Sequence, residues 1–144
     1  MITVERSVTI DCPVEEVFAF VSNPARIPEW RKDVLESTGP KSGAGVGTEF
    51  IEKINFMGKK DFTMKIREFD PNHREVIENI AGPGVRPTQS FTFTPSGNST
   101  MLNVHVSVRT HGLFRLLEPL LPKMIGKNWD GYLETLKNKL ERGA

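Results

Sequence analysis

Apolar and polar positions alternate with period two through most of the chain between Val34 and Arg109, the spacing of strands with one buried face. Breaks at GPKSGAGVG, MGKK, DPNHR, AGPGVRP and PSGNS divide this stretch into six strands, at roughly 33–38, 47–57, 60–69, 74–80, 86–95 and 99–109. Val4, Val8 and Ile10, with Arg6 among them, predict a further strand over residues 2–10. Most of the breaks are too short for crossovers, so the seven strands are expected to run antiparallel.

Two regions carry a helical period instead. In DCPVEEVFAFVSN, Val14, Val17, Phe18 and Val21 form an i, i+3, i+4, i+7 stripe. Pro13 suits the first helical position, and Glu15 and Glu16 suit the positive N-terminal end. Asn23 then caps a second short helix, which Pro28 bends or ends. At the other end of the chain, Leu117, Leu121, Ile125, Trp129, Leu133, Leu136 and Leu140 mark one apolar face of a helix between Leu116 and Arg142. Pro119, Pro122, Gly126 and Gly131 interrupt it. Either Pro122 bends a long helix, or Pro119 starts the helix and Pro122 falls in its first turn.

Two hairpins can be registered. Gly97–Asn98 suits a two-residue turn, which sets Phe93 opposite Leu102, Phe91 opposite Val104 and Gln89 opposite Val106. Thr92–Asn103, Ser90–His105 and Thr88–Ser107 then share the polar face, and a slip of one residue would mix the two. For the hairpin at Gly58, a three-residue loop over 58–60 aligns Phe56 with Phe62 and Ile54 with Met64. That register places Glu52 on the apolar face, opposite Ile66.

A sheet with one apolar face has to cover it, and the C-terminal helix is the one element long enough. The sheet is therefore expected to curl around that helix, with the short helices buttressing one end. The 144 residues, 26% charged and 38% apolar with a net charge of +1, fit a single folded domain and give no sign of nucleic-acid binding. No apolar run approaches the ~18 residues of a membrane span, so no stable membrane insertion is expected, and a cytoplasmic setting is the default. Cys12 is alone, which excludes an internal disulfide.

The carriers CPVEEVFAFVSNPARIPEW, FDPNHREV, GNST and LEPLLPKMIGKNWDGYLETLKNKLER, in the order strand, two short helices, six strands, long helix, resemble the START-like, helix-grip (SRPBCC) superfamily. The resemblance is strongest to its polyketide cyclase/dehydrase and lipid-transport group and covers nearly the whole chain, residues 1–144. It implies an α+β helix-grip fold: a seven-stranded antiparallel curved sheet wrapped around a long C-terminal helix, with two short helices after the first strand. It also implies a cavity between sheet and helix for a hydrophobic or amphipathic small molecule, such as a lipid, polyketide or aromatic metabolite. No cofactor is implied, and a monomer or weak homodimer is expected. The residues expected to line the cavity are Phe50, Ile54, Phe56, Phe62, Met64, Ile66, Gln89, Phe91, Phe93, Val104, Leu121, Ile125 and Trp129. The aromatic members would serve equally well as solid core. Trp30 is expected to pack the short helices onto the sheet.

Among groups that carry chemistry, Glu52 is the sharpest candidate. A carboxyl on a dry apolar wall has its pKa raised and can act as an acid/base in a cyclisation or dehydration, or anchor a ligand. A bulge that turns it outward, or screening by Lys53, Lys65 or Arg67, would remove that role. His105 is expected on the polar outer face, His73 in a turn, and His111 near the mouth. No two of them have a metal-ligand spacing, so no metal is expected. Cys12 precedes a helix and reads as a capping residue. The GAGVG run from Gly43 to Gly47 leads into a strand rather than a helix, which excludes a phosphate cradle and suggests a loop at the cavity lip. An interaction module, the remaining alternative, would need an exposed apolar patch of several hundred Å².

Overall fold

The computed structural model describes residues 1–143. The elements follow in the order β1 (Ile2–Ile10), α1 (Val14–Val21), a 3-10 helix (Pro24–Glu29), β2 (Val34–Ser37), β3 (Glu49–Asn55), β4 (Lys59–Asp70), β5 (Arg74–Ala81), β6 (Val85–Ser96), β7 (Ser99–Thr110), a second 3-10 helix (Gly112–Leu117) and α2 (Leu121–Glu141). The seven strands form one antiparallel sheet in the order β1-β7-β6-β5-β4-β3-β2. This is the α+β helix-grip fold: a half-barrel of seven strands around α2. Register shifts between Thr63 and Met64 and between Ile66 and Glu68 interrupt the β4–β5 ladder. Such bulges bend a strand and sharpen its twist, and here they help curve the sheet over the helix.

The β6–β7 register is the expected one, with Phe93 opposite Leu102, Phe91 opposite Val104, Gln89 opposite Val106 and Ser96 opposite Ser99. His105 sits opposite Ser90 on the exposed outer face. The β3–β4 hairpin differs from expectation. Asn55 pairs with Lys59, so the three-residue loop is Phe56–Gly58. Met57 (φ 52°) and Gly58 (φ 101°) both take left-handed backbone there. Phe50 therefore faces Met64, Ile54 faces Lys60, and Glu52 faces Phe62 rather than Ile66. Because the loop moved by two residues on the strand, the faces kept their parity, and Glu52 stays inside.

Near the N-terminus the second short helix is a 3-10 helix, capped by the Asn23 side chain, which accepts from the Ala25 N–H at 3.1 Å. Pro28 lies within it, where the absent N–H suits a short 3-10 segment better than an α-helix. Cys12 does not cap α1; Pro13 holds the N-cap position. The Cys12 thiol is buried and donates to Glu16 Oε2 at 2.9 Å. Burial, together with that carboxylate, pushes the thiol pKa up to about 11, the opposite of an activated nucleophile.

At the C-terminal end, Pro122 lies in the first turn of α2 and Pro119 lies before the helix, so neither proline bends it. The 21 residues of α2 span about 30 Å, shorter than the stripe of apolar residues suggests. Leu121, Trp129, Tyr132, Leu133, Leu136 and Leu140 are buried against the sheet. Gly126 is also buried, where α2 crosses β1 so closely that a Cβ would meet the Arg6 guanidinium. Arg6 in turn donates to Asp130 at 2.8 Å. Leu117, from the apolar stripe, belongs to the second 3-10 helix.

Candidate functional site

A cleft of about 100 Å³ lies between the inner face of the sheet and the N-terminal half of α2. Strand alternation supplies one wall, with Ile54 and Phe62 from β3 and β4, Val85, Pro87 and Gln89 from β6, and Val106 and Val108 from β7. The helix supplies the other, with Leu121, Met124, Ile125, Asn128, Trp129 and Tyr132 at the three- and four-residue steps of one face. Phe56, from the β3–β4 turn, lies at the edge. There its ring meets Phe114 of the second 3-10 helix, with centroids 5.6 Å apart. Phe114 also presses on Gly84, where a Cβ would come within 3.0 Å of Phe114 Cδ2 and the backbone is left-handed (φ 114°). Glycine is the residue that fits both demands. No residue of the second 3-10 helix is buried, so this cover is held by few contacts and opens more cheaply than the core.

The polar part of the cleft comes from the linker after the first 3-10 helix. Arg31, 5% exposed, donates through Nη2 to Asp33 Oδ2 at 2.8 Å and through Nε to Asp33 Oδ1 at 3.3 Å. Its guanidinium lies over Trp129 (5.1 Å) and Tyr132 (5.6 Å), so stacking and ion pairing fix it together. Burial works against the Arg31 charge, but Asp33 and Glu52 outweigh it, and the pKa stays above the ordinary arginine value. Burial holds the Tyr132 hydroxyl above its ordinary range, and the Asp33 charge adds to this. The phenol is therefore a proton donor at any physiological pH.

Behind Arg31 lies an acidic layer. Glu52 is 1% exposed and Glu75, on β5, is fully buried. Arg31 Nη1 lies 3.7 Å from Glu52 Oε1, an ion-pair distance too long for a hydrogen bond. All four carboxyl oxygens of Glu52 and Glu75 lack a hydrogen-bond partner, as does Trp30 Nε1. Burial raises the Glu52 pKa, Arg31 pulls it back, and Asp33 raises it again. Burial, with the nearby Glu52 charge, lifts Glu75 to about 8. The two carboxyls titrate as an interacting set, and at neutral pH the Glu75 side chain is mostly a neutral acid.

The expected lining residues divide into two groups. Ile54, Phe56, Phe62, Gln89, Leu121, Ile125 and Trp129 face the cleft. Phe50, Met64, Ile66, Phe91, Phe93 and Val104 do not line it; they are buried in the solid core. Phe93 packs edge-on against Phe18, with centroids 5.0 Å apart, and Phe91 packs against Trp30 and Trp129. Trp30, 1% exposed, fills the space beneath Trp129. Glu52 is not among the lining residues either, and reaches the cleft only through Arg31. The GAGVG loop is no lip: its Gly47 N–H bonds Ile66 O at 2.9 Å, and none of its residues lines the cleft. His111, just ahead of the second 3-10 helix, does not line it.

Arg31, Asp33, Tyr132 and Glu75 are the polar groups that sequence patterning missed. Arg31 and Asp33 sit in a linker with no period to place them. Glu75 shares the inner face of β5 with Ile77 and Asn79, while Val76 and Ile80 are turned to the half-exposed side. Hydropathy therefore points the wrong way along that strand. The usable signal was Trp30–Arg31–Lys32–Asp33, in which a large aromatic precedes an oppositely charged pair.

Residues 1–141 match the family model described as polyketide cyclase / dehydrase and lipid transport. No curated protein sequence matches the chain. Among solved structures, a START superfamily protein from Mycobacterium smegmatis superposes with TM-score 0.81 at 18% identity, covering 99% of both chains. A protein from Thermus thermophilus gives TM-score 0.81 at 20% identity, again over 99% of both. The Zhui aromatase/cyclase from a Streptomyces species gives TM-score 0.80 at 14% identity, over 97% of this chain and 93% of that one. At such identities the likeness carries the fold alone. With a family match along almost its whole length, the chain belongs to the polyketide cyclase/dehydrase and lipid-transport family, and its strand-wrapped helix has the helix-grip fold.

Proposed function

We propose that the chain binds one small amphipathic molecule in the sheet–helix cleft, with an apolar ring between Ile54, Phe62, Val106 and Ile125 and a polar group turned toward Arg31, Asp33, Gln89 and Tyr132. The observation that carries this reading is the composition of the cleft: apolar walls with a few polar groups converging from separate elements, the usual make-up of a ligand site. The Gln89 amide offers both donor and acceptor, and Tyr132 a donor. A ligand with a hydroxyl or carbonyl on an aromatic or alicyclic body matches that set.

Size restricts the guest. The cleft holds about 100 Å³, less than the ~150 Å³ cavity that takes up benzene and far below the ~300 Å³ where drug-sized pockets begin. Even a one-ring guest therefore needs the cleft to widen, and a larger one enters by displacing Phe114 from Phe56. Glu52 lies behind Arg31, so its role in this reading is to hold the guanidinium in place rather than to exchange protons with a guest, and Glu75 does not line the cleft.

Calorimetry with 1-naphthol and 4-hydroxybenzoate, alongside native mass spectrometry of freshly purified protein, tests the reading. One saturable site is expected, and Ile125→Trp, which fills the cleft from its half-buried edge, should weaken it at least ~tenfold. If neither compound binds and no small molecule co-purifies, the reading is wrong. Phe114→Ala should raise both association and dissociation rates several-fold in stopped-flow, with Kd changing less than either, because it removes a cover rather than a contact. Unchanged rates would show that the guest does not pass Phe114.

A further inference from the structure

We infer that the rim of the cleft is a docking surface for an anionic lipid bilayer. Residues 113–125 carry two apolar stripes where packing calls for one. Phe114, Leu117, Leu121 and Ile125 turn inward and are half-buried or buried. Leu113, Leu116 and Leu120 repeat the same steps one residue earlier and turn outward, exposed by 83, 77 and 69%, and Met124, at the edge of the cleft, continues the row at 42%. In the 3-10 segment, positions three apart eclipse one another, so Leu113 and Leu116 stand in one line, which Leu120 and Met124 continue onto α2. Across the cleft edge, Met57 at the tip of the β3–β4 turn is 69% exposed. The Phe56–Phe114 contact holds that tip against the 3-10 segment. A segment that is apolar on both faces is built to be covered on both.

Charge decides what covers it. Residues 56–60 and 109–128 contain Lys59, Lys60, Arg109, Arg115, Lys123 and Lys127 against the single acid Glu118, in a chain whose net charge is only +1. Glu118 is itself 4.0 Å from the N-terminal ammonium. Among the described residues, Lys59, Arg109, Arg115, Lys123 and Lys127 belong to no ion pair. Exposed leucines with a basic collar are the make-up of an interfacial anchor, with the aliphatic ends at the acyl boundary and the cations among the head groups. The apolar side chains come from two chain segments, Met57 from the β3–β4 turn and the row from Leu113 to Met124. A partner protein would need a surface matched to both, whereas acyl chains conform to either. No helix among the described residues is long and apolar enough to cross a membrane, so the contact is peripheral.

Flotation of the ligand-free protein tests this without reference to what the cleft binds, so its failure leaves the cleft reading standing. Vesicles of phosphatidylcholine alone and of phosphatidylcholine mixed with phosphatidylglycerol are compared at low and high salt. The protein should float with the mixed vesicles and detach as salt rises. Leu116→Ser with Leu120→Ser, and separately Lys123→Glu with Lys127→Glu, should each weaken binding at least ~tenfold. All four positions are exposed, so melting temperatures should match the parent. The proposal is overturned if the parent stays in the soluble fraction at low salt, or if the leucine variant floats as well as the parent. It is also overturned if the parent ignores vesicles while an acidic polypeptide such as polyglutamate retains it through the same residues, which would make the rim a protein-docking surface.

Discussion

Replacing Arg31 with Met should destabilise the fold by about 3–5 kcal/mol in urea unfolding, the usual cost of removing one member of a buried ion pair. The methionine keeps much of the volume above Trp129 and Tyr132 but leaves Asp33 without its two hydrogen bonds and Glu52 without its one cation. Glu52→Gln should behave differently. Arg31 retains Asp33, and the change removes a buried carboxyl that has no hydrogen bond, so stability should stay within about 1 kcal/mol of the parent or rise. If the two variants lose similar amounts, the Arg31–Glu52 pair rather than the Arg31–Asp33 bonds carries the stability.

The second large effect depends on pH. The folded chain keeps the Glu75 proton up to about pH 8, whereas the ordinary glutamate value is 4.5. Between those limits the unfolded state binds fewer protons than the folded one, so stability falls as pH rises, by up to ~1.4 kcal/mol per pH unit. The contribution is fully present below pH 4.5 and is lost as pH climbs toward 8. Glu75→Gln removes the titration. Its stability should approach the parent's at pH 4.5 and exceed it increasingly toward pH 8, measured by urea unfolding at matched ionic strength. Parallel curves for parent and variant would show that Glu75 does not carry the pH dependence. Glu52→Gln should move the upper limit of the window downward, because the Glu52 charge helps to raise Glu75.

How far such features could be foreseen varies along the chain. The β6–β7 hairpin was legible residue by residue, because the Gly97–Asn98 turn and the alternation of Phe91, Phe93, Leu102 and Val104 specify the same register. In the β3–β4 hairpin only the face of each residue was legible. Its loop takes Phe56 and Met57, apolar residues that patterning assigns to a strand, and Met57 adopts left-handed backbone that its side chain does not advertise. The four lining residues from the sheet and its β3–β4 turn, Ile54, Phe56, Phe62 and Gln89, share one face with the six that became solid core. What separates them is how Trp30, Phe91 and Phe18 fill the space between, and no one-dimensional pattern records that. Arg31 and Asp33 were invisible for another reason: they act from a linker, where position depends on the packing of Trp30 rather than on any repeat.

The placement of β1 at one margin of the sheet has a consequence for how the protein is made. Ile2 pairs with Val108 and Ile10 with Thr100, so within this domain the earliest strand to be synthesised waits for the last hairpin before it finds a neighbour. Contacts so distant along the chain are costly to close and slow to form. A nascent chain halted before residue 100 would thus display an orphan strand carrying Val4, Val8 and Ile10, a target for chaperones during synthesis.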